Sequence, residues 1–198
     1  MLEVFDKWEK AGRPLNDQGY NKEWEDAYMD FLRSLHDNEK YLNVKNDELI
    51  FTGNEDDKNV SVAPSHLTCE QQTEISQYSC WIINSLRDDL GLTPYVGKVT
   101  VTEGMLAMLN VVNGNKNNAH AFGVAVAYDS ATCEPNISTL YDLKMSIKNT
   151  IWTFAMTDLD DGLIGHAMSI TGIDNLDAYG KCSETYLGAQ LVMVNGMT

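Results

Sequence analysis

Residues 67–91 read Leu67-Thr68-Cys69-Glu70-Gln71-Gln72-Thr73-Glu74-Ile75-Ser76-Gln77-Tyr78-Ser79-Cys80-Trp81-Ile82-Ile83-Asn84-Ser85-Leu86-Arg87-Asp88-Asp89-Leu90-Gly91. Thr68 and Gln71 stand in the T-x-x-Q order of a capping box, whose reciprocal hydrogen bonds satisfy backbone N–H groups at a helix start. Ile75, Tyr78, Ile82, Leu86 and Leu90 follow at spacings of three and four, one apolar stripe of a helix, and Gly91 offers a left-handed terminator. On the C-terminal side, Thr102 caps an expected second helix carrying Met105, Leu106, Leu109 and Val112, stopped at Asn113-Gly114. Ser138 opens a third, with Leu140, Leu143, Ile147, Ile151 and Phe154 on one face. Short apolar, β-branched runs predict strands over 122–128, 167–173 and 186–195. Three strands with few crossovers imply a small sheet covered by helices, an α+β class.

On the N-terminal side the stretch 53–65 is polar and turn-rich and reads as a linker. Before it, Trp24, Tyr28, Phe31 and Leu35 recur at helical spacing over 22–36. Leu2, Phe5 and Trp8 mark a shorter helix that Gly12-Arg13-Pro14 would end, and Leu49, Ile50 and Phe51 fit a short strand. Residues 1–65 are therefore expected as a helical N-terminal region that packs on the main domain or continues a stalk. Residues 66–198 form the main domain.

The 198-residue chain carries 14 Lys and Arg against 29 Asp and Glu, a formal net charge of −15. Phosphate affinity comes from clustered cations, so the balance argues against a nucleic-acid partner and against docking on an anionic bilayer. Apolar residues at 43% and charged ones at 22% match a folded globular protein rather than a disordered one. No run of 18 apolar residues exists, so no direct membrane insertion is expected. The first 30 residues lack the charged and apolar blocks of a secretion signal, although one could have been removed before this chain begins.

From 67 onward the residues resemble a known family. The motifs are Leu67-Thr68-x-Glu70-Gln71-Gln72-x-Glu74-x-Ser76-Gln77-Tyr78, then Ile82-Ile83-Asn84-x-Leu86-Arg87, Gly91-Leu92 and Val99-Thr100-Val101-Thr102. Gly165-His166-Ala167-Met168-Ser169-Ile170-Thr171-Gly172 and Tyr186-Leu187-Gly188-Ala189 continue them. Together they look like the surface exclusion domain of Gram-positive cell-surface proteins, a branch of the CAP superfamily (cysteine-rich secretory proteins, antigen 5, pathogenesis-related 1). The resemblance covers about 67–198. It implies a CAP-like three-layer α-β-α sandwich with a small, mostly antiparallel sheet, to which 1–65 adds a helical appendage. It also implies a cleft of two His and two acids, in some members around a divalent cation.

Carried over position by position, His166 matches the later His, and Glu134 in Cys133-Glu134-Pro135-Asn136-Ile137 the first acid, with Pro135 inserted. His120 stands as the earlier His. The second acid should fall near Trp152, where 147–155 contains no carboxylate. Two imidazoles and a carboxylate suit zinc or a similar divalent cation. Losing one acid removes a proton-transfer partner and tilts the reading toward binding. The implied role is non-catalytic recognition at the cell surface, plasmid surface exclusion or adhesion. The protein would be extracellular or cell wall-associated, with a cell-surface protein or envelope component as partner. The alternative is a divalent-cation-dependent hydrolase using His120, Glu134 and His166.

Four cysteines at non-C-x-x-C spacing suggest neither a zinc knuckle nor a dithiol redox site, and leave buried thiols or disulfides open. Cys69 and Cys80 sit about 16 Å apart along one helix, beyond bridging reach. Cys133 and Cys182, in loops flanking expected strands, form the preferred pair. Asp158-Leu159-Asp160-Asp161-Gly162 lacks the closing Glu of an EF-hand and reads as a solvated turn. His36 and His66 read as surface residues. Phosphate-binding glycine loops and a G-x-S-x-G elbow are absent.

Overall fold

A computed structural model describes residues 1–37, 55–63, 67–112, 137–156 and 165–186. The central element is the helix read from the quoted stretch, which runs Cys69–Asp89. It is α3 in chain order, after α1 (Leu2–Lys10), α2 (Lys22–His36) and a 3-10 turn at Glu55–Asn59. Both capping-box bonds are present: the Gln71 amide N–H donates to Thr68 Oγ1 at 3.2 Å, and the Thr68 N–H to Gln71 Oε1 at 3.0 Å. At the far end Gly91 takes φ +68°, and the Leu92 N–H reaches back to the Arg87 carbonyl at 2.8 Å. Ile75, Ile82, Ile83 and Leu86 of α3 are buried, and most of the remaining elements pack around them.

After α3 come α4 (Thr93–Val96), β1 (Lys98–Thr100), α5 (Glu103–Val112), α6 (Leu140–Met156), α7 (Gly165–Thr171), α8 (Ile173–Tyr179) and β2 (Glu184–Tyr186). Thr102 caps α5 as expected, accepting from the Met105 N–H at 3.2 Å. Along α6, Leu140, Leu143, Ile151 and Phe154 are buried on the predicted face.

The expected α+β sandwich is overturned. Among the described residues the chain is mostly helical, with eight α-helices, and its one sheet has two strands, β1 and β2, paired in parallel with Lys98 opposite Glu184. The predicted strand over 167–173 is helical instead. Ala167, Ile170 and Thr171 bury one side of α7, and Gly172 at φ +82° turns the chain directly into α8. A short buried apolar run does not by itself distinguish strand from helix. Of the strand expected over 186–195, Tyr186 ends β2, and the remaining positions lie outside the described residues, as do 122–128 and 49–51.

The N-terminal helices share the main core. Asn21 caps α2 through Oδ1, accepting from the Trp24 N–H at 3.0 Å. Trp24, Tyr28, Leu32 and Leu35 point inward, as do Phe5 and Trp8 of α1. Phe5 sits edge-on to Trp24 at 5.1 Å, Trp8 stacks on Trp24 at 5.9 Å, and Phe5 meets Tyr95 of α4 at 6.2 Å. Trp24 Nε1 donates to Asp177 of α8 at 2.8 Å. These residues and those of α3, α6, α7 and α8 form one apolar cluster.

Within the stretch read as a linker, the 3-10 turn buries Asp57 against α6, and Ser61 bridges Thr139. The Val62 N–H donates to the Ser138 carbonyl at 3.0 Å and the Leu140 N–H to the Val60 carbonyl at 2.8 Å. Val62 joins Ile75, Ile137, Leu140 and Leu143 in a second, smaller cluster.

Candidate functional site

Every third or fourth residue of α3 on the side away from the main core is polar or exposed: Gln77, Trp81, Asn84, Ser85 and Asp88. This side faces Lys98, Thr100 and Val101 at β1, and between them runs an open groove of about 510 Å³ that Cys80 also lines.

Trp81 is the groove's aromatic feature. Its side chain is 49% exposed, unlike Trp8 and Trp24, and the ring of Tyr78 lies 6.0 Å away at an interplanar angle of 23°, stacked beneath it. Tyr78 is held in turn by its surroundings. Burial, then the nearby charge of Asp57 and the Tyr141 hydroxyl, pushes its phenol above the ordinary range, so it stays neutral. The indole thus has one ring backing it and open space beside it.

Asn84 closes the floor. Its Nδ2 donates to the Val99 carbonyl at 2.8 Å and its Oδ1 accepts from the Val99 N–H at 2.7 Å. One side chain therefore satisfies the backbone edge of β1 that faces α3, where a third strand would otherwise pair. Thr100 Oγ1 contacts Glu184 Oε1 at 3.1 Å across the sheet. Thr93 Oγ1 donates to the Asp88 carboxylate, so that charge already has a partner. Burial pushes the Cys80 thiol up to about 11, against the pull of Arg87, so Cys80 is not a thiolate at neutral pH.

Farther along α3, Arg87 is 2% exposed. Its Nε donates to the Ile170 carbonyl at 2.9 Å and Nη2 to the Ser169 carbonyl at 3.2 Å, at the C-terminal end of α7, where the helix dipole favours a cation. Nη1 reaches Thr185 Oγ1 at 3.2 Å and thereby ties in β2. Burial pulls the guanidinium down to about 10, still far enough above neutrality to keep it charged. The guanidinium braces α3, α7 and β2.

A second ionic cluster pins the 3-10 turn. Lys144 of α6 donates to Asp57 Oδ2 at 2.8 Å and to Glu74 Oε1 of α3, with Asp57 and Lys144 both buried. Burial opposes the ammonium charge, but the hydrogen bonds to Asp57 and Glu74 outweigh it and hold Lys144 above its ordinary value.

Of the residues expected to build the cleft, His166 lies on α7, half-buried, with its ring stacked on Phe154 of α6 at 4.3 Å and 24°. His120 and Glu134 lie outside the described residues. Among the described residues no group of three His, Cys, Asp or Glu could hold a metal ion. Cys182 carries a free thiol directed at the Gly180 carbonyl at 3.4 Å, and Cys133, its expected partner, lies outside the described residues. Residues 158–162, His66 and the His36 side chain also lie outside them. No described helix is long and apolar enough to cross a membrane.

The groove went unread at the sequence level, yet a signal for it was there. Trp81 falls off the stripe Ile75, Tyr78, Ile82, Leu86, Leu90 and sets a large aromatic on the polar side of a capped helix. No family model, no curated protein and no solved structure matches the chain.

Proposed function

We propose that the chain is a non-catalytic recognition module that binds a cell-surface protein or envelope component through the groove between α3 and β1. The observation that carries this reading is the exposed indole of Trp81, backed by Tyr78 and bordered by amide and hydroxyl side chains. A rigid aromatic with polar neighbours gives contact area at low entropic cost, the usual make-up of a binding hot spot. The same helix carries the motif that resembles surface exclusion domains, and that resemblance is what supports a setting outside a Gram-positive cell or on its wall. The three-layer sandwich is no part of this reading. A charge of −15 keeps the protein off nucleic acid and other polyanions and leaves selection to local contacts.

Co-sedimentation with intact Gram-positive cells tests the proposal. The full chain should pellet with cells, Trp81→Ala should stay in the supernatant, and His166→Ala should pellet as the parent does, with or without a chelator. Cell binding that ignores Trp81 would refute the groove. Stoichiometric zinc lost in His166→Ala would favour the hydrolase built on His120, Glu134 and His166.

A further inference from the structure

Resting on the recognition reading, we infer that the ligand of the α3–β1 groove is a neutral oligosaccharide, with one sugar ring stacked on the indole of Trp81. The face of a pyranose that bears axial C–H bonds is weakly positive and apolar, and the face of an indole is electron-rich. Stacking the two removes both from water while the equatorial hydroxyls stay at the ring's rim, where they need donors and acceptors. The groove supplies them in uncharged form: the Gln77 amide, the Ser85 hydroxyl and, as an acceptor only because its proton goes to Glu184, the Thr100 hydroxyl. Asn84 is spent on Val99 and serves as a wall.

Charge argues for the same ligand. The chain's net −15 repels anionic envelope polymers. Within the groove, Asp88 is engaged by Thr93, and Lys98 is the single described cation lining it. A proline-rich peptide is the next candidate, because such peptides dock on aromatic-lined grooves. They need successive aromatic ridges, and among the described lining residues Trp81 is the one ring. A single platform between hydroxyl and amide groups suits one sugar ring with its neighbours lying along the groove.

The test titrates the full chain with tetra-N-acetylchitotetraose, cellotetraose and maltotetraose by calorimetry, with decaproline as the peptide probe. At least one sugar should bind, blue-shifting the fluorescence of an otherwise solvent-facing indole. Trp81→Ala should weaken it about thirtyfold, the effect of truncating a central aromatic hot spot. Trp81→Phe should recover part of the loss, and Gln77→Ala should weaken binding with the far-UV spectrum and thermal midpoint unchanged. Sugar binding indifferent to Trp81→Ala overturns the inference, and so does decaproline binding that Trp81→Ala abolishes. If no sugar binds while cells still capture the protein through Trp81, and protease treatment of the cells abolishes capture, the saccharide falls and the recognition reading stands. If cells are not captured either, both fall.

Discussion

Two buried cations show how single residues hold this structure, and they act differently. Among the described residues no carboxylate pairs directly with Arg87, which is satisfied by carbonyls and a hydroxyl. Lys144 is bound to the carboxylates of Asp57 and Glu74. Removing one member of a buried ion pair leaves the other charge uncompensated, which costs ~3–5 kcal/mol. Lys144→Met should therefore lower unfolding free energy by about 3 kcal/mol in urea titrations, and adding Asp57→Asn should restore part of it. The sign with pH follows from the raised ammonium. Its stabilisation is complete below the ordinary value of 10.5 and is lost as pH climbs through the higher folded value. The gap in urea midpoint between the parent and Lys144→Met should narrow from pH 8 to pH 11. A gap that stays constant across that interval would contradict the pairing.

At the scale of elements, what was legible followed the range of the cause. The start and end of α3 are set by Thr68, Gln71 and Gly91, all within a turn of the backbone groups they serve, and they appear as read. The apolar stripe of α6 likewise survived into the structure. The stretch 167–173 misled because Ala167, Ile170 and Thr171 are buried together in a seven-residue helix, too short to display a period. The pairing of β1 with β2 depends on Gly97, whose role no local pattern announces. It sits at φ +69°, and a Cβ there would collide with the Ser183 carbonyl and lie 2.6 Å from the Glu184 nitrogen. Left-handed strain of ~1–3 kcal/mol would add to the displacement of a backbone that cannot step aside. Gly97→Ala should thus cost about 3 kcal/mol or more by chemical denaturation, whereas Gly12→Ala, with open space around it, should cost only its strain. The candidate site was harder to read for the same reason. Its wall is α3, but its floor arrives with β1, and only their juxtaposition makes Trp81 the edge of a groove.

For the molecule as a whole, α1 and α2 contribute some of its largest buried side chains, Phe5, Trp24, Leu32 and Leu35. A core shared this widely should unfold as one unit. Calorimetry of the full chain should show a single transition, and Trp24→Ala should shift all of it downward, with ~3–5 kcal/mol lost to the emptied volume and the abandoned Asp177 partner. Two separable transitions, only one of them sensitive to Trp24, would disprove the common core.

One last consequence comes from the amide of position 84. It presents a donor and an acceptor to the N–H and carbonyl of a single residue, Val99, in the spacing a neighbouring backbone would use. Aspartate would offer two acceptors to that carbonyl, glutamine would overshoot by a methylene, and serine would fall short. Codon 84 should consequently tolerate almost nothing else, and a saturation library sorted for soluble, folded protein should return asparagine nearly alone. The variants sorted out should clump through their uncovered strand rather than simply melt.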